Sequence, residues 1–420
     1  MLGHPDTTME QTAASRIKDH EPTPSPSSPP PSVSHPLLNP ALRRAWRDLT
    51  TIQCGITPAH AVTIGPVDPT TASLMNLFDG TRGIPLLQEE SRRLGLPEAH
   101  LPRLIARLSA AGLLDDATGG GPRTDALRKD PAALQRLRPD LMSLSLTDRS
   151  PGGGIRRIAA RRTMSVQVRG AGRVGALIAA TLSAAGIGSI DVMDGGQVEP
   201  WDVSPGGLPA EAIGERRDVA ARRLVRRCTP GGPRAGPSPG EWPTSRHPPS
   251  SHPPGFALVV LAPRDGLTAH APDPAAAAEF MASGTPHLYA GVLEATGMVG
   301  PLVLPGETAC AGCLDLGRAD QDRTWSRMLA QWRSGRRSPA QACDLGLATA
   351  VAGTAAAHAL AALDGGRPSS TGLRWEMPLP DTDWRARQVA PHPDCTCGAA
   401  RTEEREDTSA SGPPHERMAE

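Results

Sequence analysis

Three glycines carry the first chemical suggestion in this chain. Gly170, Gly172 and Gly175 form a G-x-G-x-x-G pattern within "VRGAGRVGALIAATLSAAGIGSIDVMD", between a run that reads as a strand and one that reads as a helix. In that setting the first glycine permits a tight turn. The second lets backbone approach a phosphate, and the third lets the helix pack on the sheet. The helix N-terminus adds free N–H groups and the positive end of a dipole. Asp194 follows nineteen residues after Gly175, at the end of the next strand, where a carboxylate can accept from ribose hydroxyls. Two readings stay open: a nucleotide is bound and used here, or the glycines persist only as packing requirements.

The cysteines suggest a second chemistry. "CAGC" supplies Cys310 and Cys313, and "CTC" supplies Cys395 and Cys397. Two close pairs brought together by an intervening segment can build a tetrahedral four-thiolate zinc site, each pair on its own knuckle. Such a zinc would be structural, closing a long loop and clipping the C-terminal part to the crossover. His392 is a substitute ligand, and redox chemistry at Cys310 and Cys313 is the competing reading. Cys343 stands alone at the start of an Ala-rich helix, where the dipole would lower a thiol pKa. It reads either as a nucleophile or as a small core residue. Cys54 and Cys228 read as structural.

The elements that must position these residues follow from pattern. The chain has 420 residues, room for two or three domains. Lys plus Arg is 44 and Asp plus Glu is 44, so net charge offers no electrostatic drive toward nucleic acid or an anionic membrane. Gly 44 and Pro 45 are far above average, which requires long linkers or disorder. With aromatics at 3%, Ala, Leu and Val must fill the cores. The Pro/Ser-rich stretch 1–35 reads as a disordered tail, 229–255 as a Pro/Gly-rich insert and 401–420 as a charged tail.

Between them, residues 36–115 hold two β-prone runs, "TTIQCGI" and "AVTIGPV", and three helical segments, Thr71–Phe78, Ile84–Leu94 and Leu101–Leu114. Residues 116–164 read as a connector. From 165 to 400 strand and helix patterns alternate, which predicts an α/β fold with a doubly wound, mostly parallel sheet. No secretory signal is visible, and Ala340–Leu363, with Cys343, Asp344 and His358, reads as a buried helix rather than a membrane span. Seven cysteines, an odd number partly in close pairs, fit metal ligation in a reducing compartment, so the expected location is the cytoplasm.

Taken in order, the glycine turn, the acid-ended second strand, "PHLYAGVLEATGMVGPLVLPGETACAGCL", the helix from Cys343 and the terminal cysteine pair resemble the ThiF-type adenylyltransferases, relatives of ubiquitin-activating enzymes. The resemblance covers roughly 165–400 and implies a Rossmann-like fold. It also implies ATP and magnesium as cofactors, a protein C-terminus as substrate, a homodimer and zinc on Cys310, Cys313, Cys395 and Cys397. Position by position, Asp194 matches the ribose acid and Arg217 in "GERRD" falls on a phosphate-binding lysine. The family's asparagine falls on Asp202 and its arginine on Pro205 in "DVSPGGL". A later catalytic acid matches Asp265, with Gly266 where an asparagine is usual, and Cys343 lies where some members carry a thioester or persulfide cysteine.

A proline cannot stabilise a polyphosphate, and an extra aspartate repels one. Arg169 and Arg173 flank the turn as substitute cations or as solvated surface charges. The ATP site is therefore expected to be degenerate. The N-terminal module resembles the winged-helix-like element of ribosomal-peptide modification systems, which captures a leader peptide as an added strand. Together the resemblances imply a protein that binds a precursor or leader peptide and a cyclodehydratase-type partner enzyme. The alternative is an active ATP-dependent adenylyltransferase acting on a ubiquitin-like carrier protein. An NAD-dependent oxidoreductase would need a hydride-relay His/Arg pair that the sequence does not show.

Overall fold

The computed structural model describes residues 33–232, 256–335 and 340–400. The tails expected at 1–35 and 401–420 and the insert expected at 229–255 lie largely or wholly outside these residues. The N-terminal module opens with β1 (Pro36–Leu38), β2 (Arg44–Trp46), β3 (Ile52–Cys54) and β4 (Val62–Ile64). Helices α1 (Pro69–Asn76), α2 (Ile84–Arg93) and α3 (His100–Ala110) follow, then β5 (Leu114–Asp116). Strands β2, β3 and β4 form an antiparallel sheet, and β5 pairs with β1. The two β-prone runs are β3 and β4. The sequence pattern missed β2, and Leu114, expected to end a helix, begins a strand instead. Leu74, Leu87, Leu101, Leu104 and Leu108 bury one face of each helix against Ile52, Cys54 and Ile64.

The segment between the two main parts is itself helical: α4 (Asp125–Arg128), α5 (Pro131–Arg136), α6 (Arg138–Thr147) and α7 (Gly153–Arg161). It has a small core of Leu127, Ala133, Leu137, Leu144 and Ile158. Asn39 donates to the Ser145 carbonyl at 3.2 Å on one side. On the other side Arg161, nearly buried, pairs with Asp364 at 2.6 Å and donates to the Ala185 carbonyl at 3.2 Å.

A seven-stranded sheet follows. Its elements are β6 (Ser165–Arg169), α8 (Arg173–Ala184), β7 (Ser189–Met193), α9 (Arg217–Cys228), β8 (Leu258–Leu261), α10 (Gly266–His270) and α11 (Ala278–Ser283). Then come β9 (His287–Leu293), β10 (Thr296–Val303), α12 (Ala311–Gln321), α13 (Trp325–Ser334), α14 (Leu345–Leu363), β11 (Leu373–Pro378) and β12 (Arg385–Gln388). The order is β12-β11-β10-β9-β8-β6-β7. β7, β6, β8 and β9 run parallel, and β10, β11 and β12 extend the sheet antiparallel.

Period-two alternation sorts the two faces. Val166, Val168, Leu258, Val260, Leu288, Ala290 and Val292 pack with α8, α9 and α14 in one core. Val259 meets Phe280 on the opposite face, where Tyr289 joins the cysteine cluster. Among the described residues α14 is the one helix long and apolar enough to cross a membrane by length and composition. Leu347, Ala348, Val351, Ala352, Ala355, Ala356 and Ala359 form a buried stripe at helical spacing, so it reads as a core helix. It begins at Leu345, capped by Asp344, whose carboxylate accepts the Leu347 N–H at 3.1 Å.

The glycine turn is held by backbone contact. Gly170 has φ of +103°, and a Cβ there would run into the Ala262 carbonyl. A Cβ at Gly175 would overlap the Gly170 carbonyl oxygen. Gly175→Ala is therefore expected to lower stability by at least about 2 kcal/mol, or to prevent folding. Gly195→Ala, at a position with nothing within 4 Å, should stay within about 0.5 kcal/mol of wild type. Thermal melts of the two variants compare them directly.

Candidate functional site

Gly172 caps α8 without a side-chain hydrogen bond, so the helix N-terminus opens toward a cavity of about 440 Å³. Arg173, Trp201, Asp202, Arg217, Arg264, Asp265, Gln341 and Cys343 line it. The structure thus gathers Gly172, Gly175, Arg217, Asp265 and Cys343 of the sequence candidates around one pocket. Trp201, Arg264 and Gln341 were not singled out. Two of them stand directly beside singled-out acids, Trp201 before Asp202 and Arg264 before Asp265.

Four of the charges at this pocket pair with one another. Asp194 accepts the Ala171 N–H at 2.8 Å, the Gly196 N–H at 2.9 Å and the Arg217 Nε–H at 2.9 Å. Arg217 also donates to Asp202 at 3.1 Å and to the Gln197 carbonyl at 2.5 Å. Asp202 takes a second guanidinium, Arg264 Nε, at 2.9 Å. The result is a chain Asp194–Arg217–Asp202–Arg264, with side-chain exposures of 8%, 10%, 3% and 31%. Arg264 lies across the turn: its methylenes would sit 3.4–3.8 Å from a Cβ on Gly172. The space that this glycine leaves for a phosphate is bordered by a side chain of the protein itself. The acid expected at a ribose already has three protein donors.

The flanking candidates divide. Arg169 does not face this pocket. It pairs with Glu279 at 2.6 Å and its guanidinium lies 4.5 Å from the centre of the Phe280 ring, on the opposite face of the sheet. Arg173 stays at the pocket and donates to the Cys343 carbonyl at 2.8 Å. Asp265 caps α10, accepting the Leu267 N–H at 3.1 Å. Cys343 precedes Asp344, the cap of α14, rather than starting the helix. Burial pushes its thiol pKa up, although Arg173 pulls the other way. The expected dipole activation is outweighed by desolvation.

The four paired cysteines meet. Cys310 and Cys313 are buried at the start of α12, and all four sulfurs lie within 4.8 Å of one another. Sγ–Sγ separations are 4.0 Å for Cys310–Cys313, 3.6 Å for Cys310–Cys395 and 3.5 Å for Cys313–Cys397. A tetrahedral zinc–thiolate site has edges of about 3.8 Å, given Zn–S near 2.3 Å. A disulfide needs about 2 Å. Gly312 completes the cradle, since a Cβ there would lie 3.1 Å from the Cys395 sulfur. The cluster could therefore hold a metal ion, and its donor set suits a thiophilic one. His392 is engaged elsewhere: its Nε2 pairs with Asp320 at 2.8 Å and its Nδ1 accepts the Asp394 N–H at 3.2 Å.

A Rossmann-like sheet with a glycine turn at its parallel half and four cysteines at its far side defines an adenylyltransferase-type fold. The sequence matches the ThiF family over residues 154–399, and the chain belongs to that family. Comparison with curated proteins gives no match. Solved structures share the fold. E. coli MccB with MccA-N7isoASN superposes with TM-score 0.58 at 13% identity, covering 87% of this chain and 99% of that one. E. coli MccB with ATP gives TM-score 0.55 at 13% identity, covering 86% and 99%. PaaA gives TM-score 0.57 at 17% identity, covering 84% and 99%.

Metal analysis of the purified protein is expected to find one zinc ion per chain. Cys310→Ser or Cys397→Ser should lose it and lower the melting temperature, because metal binding and folding of such a knuckle are linked. Metal-free wild-type protein with an unchanged melt would contradict this.

Proposed function

We propose that this chain is a ThiF-type protein whose nucleotide site is closed by its own ion pairs, and that it binds a precursor (leader) peptide for a partner modification enzyme, with zinc as a structural clip. The observation that carries this reading is the chain Asp194–Arg217–Asp202–Arg264. It engages the ribose acid and pairs Arg217 and Arg264 with carboxylates, leaving Arg173 as the pocket arginine without an ion pair among the described residues, while Pro205 supplies no cation.

The peptide side of the reading rests on the N-terminal module. β2 is the edge of its sheet and all three of its residues are exposed. A groove of about 380 Å³ beside it is lined by Arg44, Trp46, Ile52, Ala72 and Met75. An unpaired edge next to apolar pockets suits an added strand, the edge giving affinity and the pockets specificity. MccB, whose fold this chain shares, has been crystallised with MccA. A second reading, ATP-dependent activation of a ubiquitin-like carrier, draws on the open pocket of about 440 Å³ with Asp265 in its lining.

ATP–pyrophosphate exchange separates the two. No exchange above background is expected from wild-type protein, and robust exchange would establish the second reading. Asp202→Asn removes the buried counter-charge and should raise ATP affinity at least about tenfold by calorimetry, since each charge-assisted contact is worth about 1.5–3 kcal/mol. In the same preparations, Trp46→Ala should weaken binding of a fluorescent leader peptide about tenfold or more. Unaltered leader binding would remove the β2 edge from the proposal.

A further inference from the structure

A second cavity, of about 530 Å³, shares no lining residue with the glycine-turn pocket. It lies between α12, β11, β12 and the strand-to-knuckle segment 389–392, with Arg318, Arg374, Glu376 and Arg387 in its wall. One carboxylate serves two of the three guanidiniums. Glu376 accepts Arg374 Nε–H at 2.9 Å and Nη2–H at 2.5 Å, and Arg387 Nε–H at 3.4 Å. Arg318 makes no ion pair among the described residues. It donates to the His270 carbonyl at 2.9 Å, beside Arg374, which donates to the same oxygen at 2.7 Å.

The other charged neighbours do not cancel it. The guanidinium of Arg318 lies 4.8 Å from the centre of the Trp325 ring. The nearby acid, Asp315, accepts the Trp325 indole N–H at 2.8 Å. Burial, with Arg318 and then Arg374 adding, holds the His270 pKa down at about 4, so this ring is neutral near pH 7. Asp320 at the outer rim is 72% exposed and already pairs with His392. Three guanidiniums stand against Glu376, Asp315 and the solvent-exposed Asp320, and Arg318 is the one of the three without an ion pair among the described residues. Leu314, Val389 and Pro391 supply apolar surface beside it.

We propose that this cavity is a carboxylate-binding site, in which Arg318 receives the carboxylate of a peptide. A planar guanidinium with unused N–H groups matches a carboxylate fork. One guanidinium without a carboxylate partner fits a monoanion, whereas a phosphate dianion would exceed it. That the carboxylate is carried by a peptide rests on the peptide-binding reading above. Its source is either a free C-terminus or an Asp or Glu side chain.

Calorimetry on the full chain tests this with three probes: acetyl-Gly-Ala-Leu with a free carboxylate, acetyl-Gly-Asp-Leu amide, and inorganic phosphate. At least one peptide should bind saturably. Arg318→Gln should weaken it about tenfold or more, and Arg318→Lys should recover part of the loss. Tighter binding of the free-carboxylate peptide assigns a C-terminus, and tighter binding of the amide assigns a side chain; either supports the site. If Arg318→Gln melts below wild type, Arg318→Lys, which keeps the stem and the charge but not the fork, should still bind the peptide more weakly than wild type. Equal binding by the variants and wild type overturns the proposal, as does preference for phosphate or no peptide binding at millimolar concentration. Failure here with leader binding intact at Trp46 sinks the cavity alone. Loss of leader binding with the probes still bound sinks the leader reading alone.

Discussion

A carboxylate removed from water must be given its partners by the protein, and Asp202 sets the form of the ligand pocket through that requirement. At 3% side-chain exposure it holds Arg217 on one oxygen and Arg264 on the other. Leaving either guanidinium or the carboxylate alone in that setting would cost several kcal/mol. The arginines therefore turn inward rather than toward a ligand. Arg217 is drawn down over Gly196, whose missing Cβ makes room for it, and onto Asp194. Arg264 is drawn over Gly172, with its guanidinium 5.8 Å from the centre of the Trp201 ring. One buried carboxylate at residue 202 thus sets the direction of two of the arginines in this wall.

The cysteine cluster works at longer range. Its two cysteine pairs come from the start of α12 and from the segment after β12, so the cluster brings the end of the antiparallel extension against α12. Tyr289 and Val389 pack with the same sulfurs in one apolar cluster. The second cavity lies directly against this cluster, with Cys313 in its wall. Its shape therefore depends on the knuckle being closed.

How far this could be read from the sequence follows from distance along the chain. The glycine turn, the alternating sheet and the Ala-rich helix were legible because each is a local pattern with its own period. The cysteine cluster was legible because two short spacings announce a ligand set even when the pairs lie 84 and 85 positions apart. β1 and β2 were not, since three residues such as Arg44–Trp46 carry no alternation. Helices α4 to α7 were hidden by their shortness and by prolines, which open α5 and stand in the first turn of α6. The ion pairs were beyond reach: Arg264 meets Asp202 across 62 residues, and nothing in either neighbourhood marks the other. Sequence could place Arg217 near Asp194 by its pattern, but not Arg264 against Asp202.

Helix α7 bears on where the chain can be divided. The family match begins at residue 154, inside the first turn of this helix, so the conventional boundary cuts through it. Yet Arg161 at its end grips Asp364 at the tail of α14, whose opposite end adjoins Cys343 in the wall of the glycine-turn pocket. A chimaera joined after residue 161 would leave the Asp364 carboxylate, 17% exposed, without this guanidinium, whereas a junction ahead of α7 would carry the pair across intact.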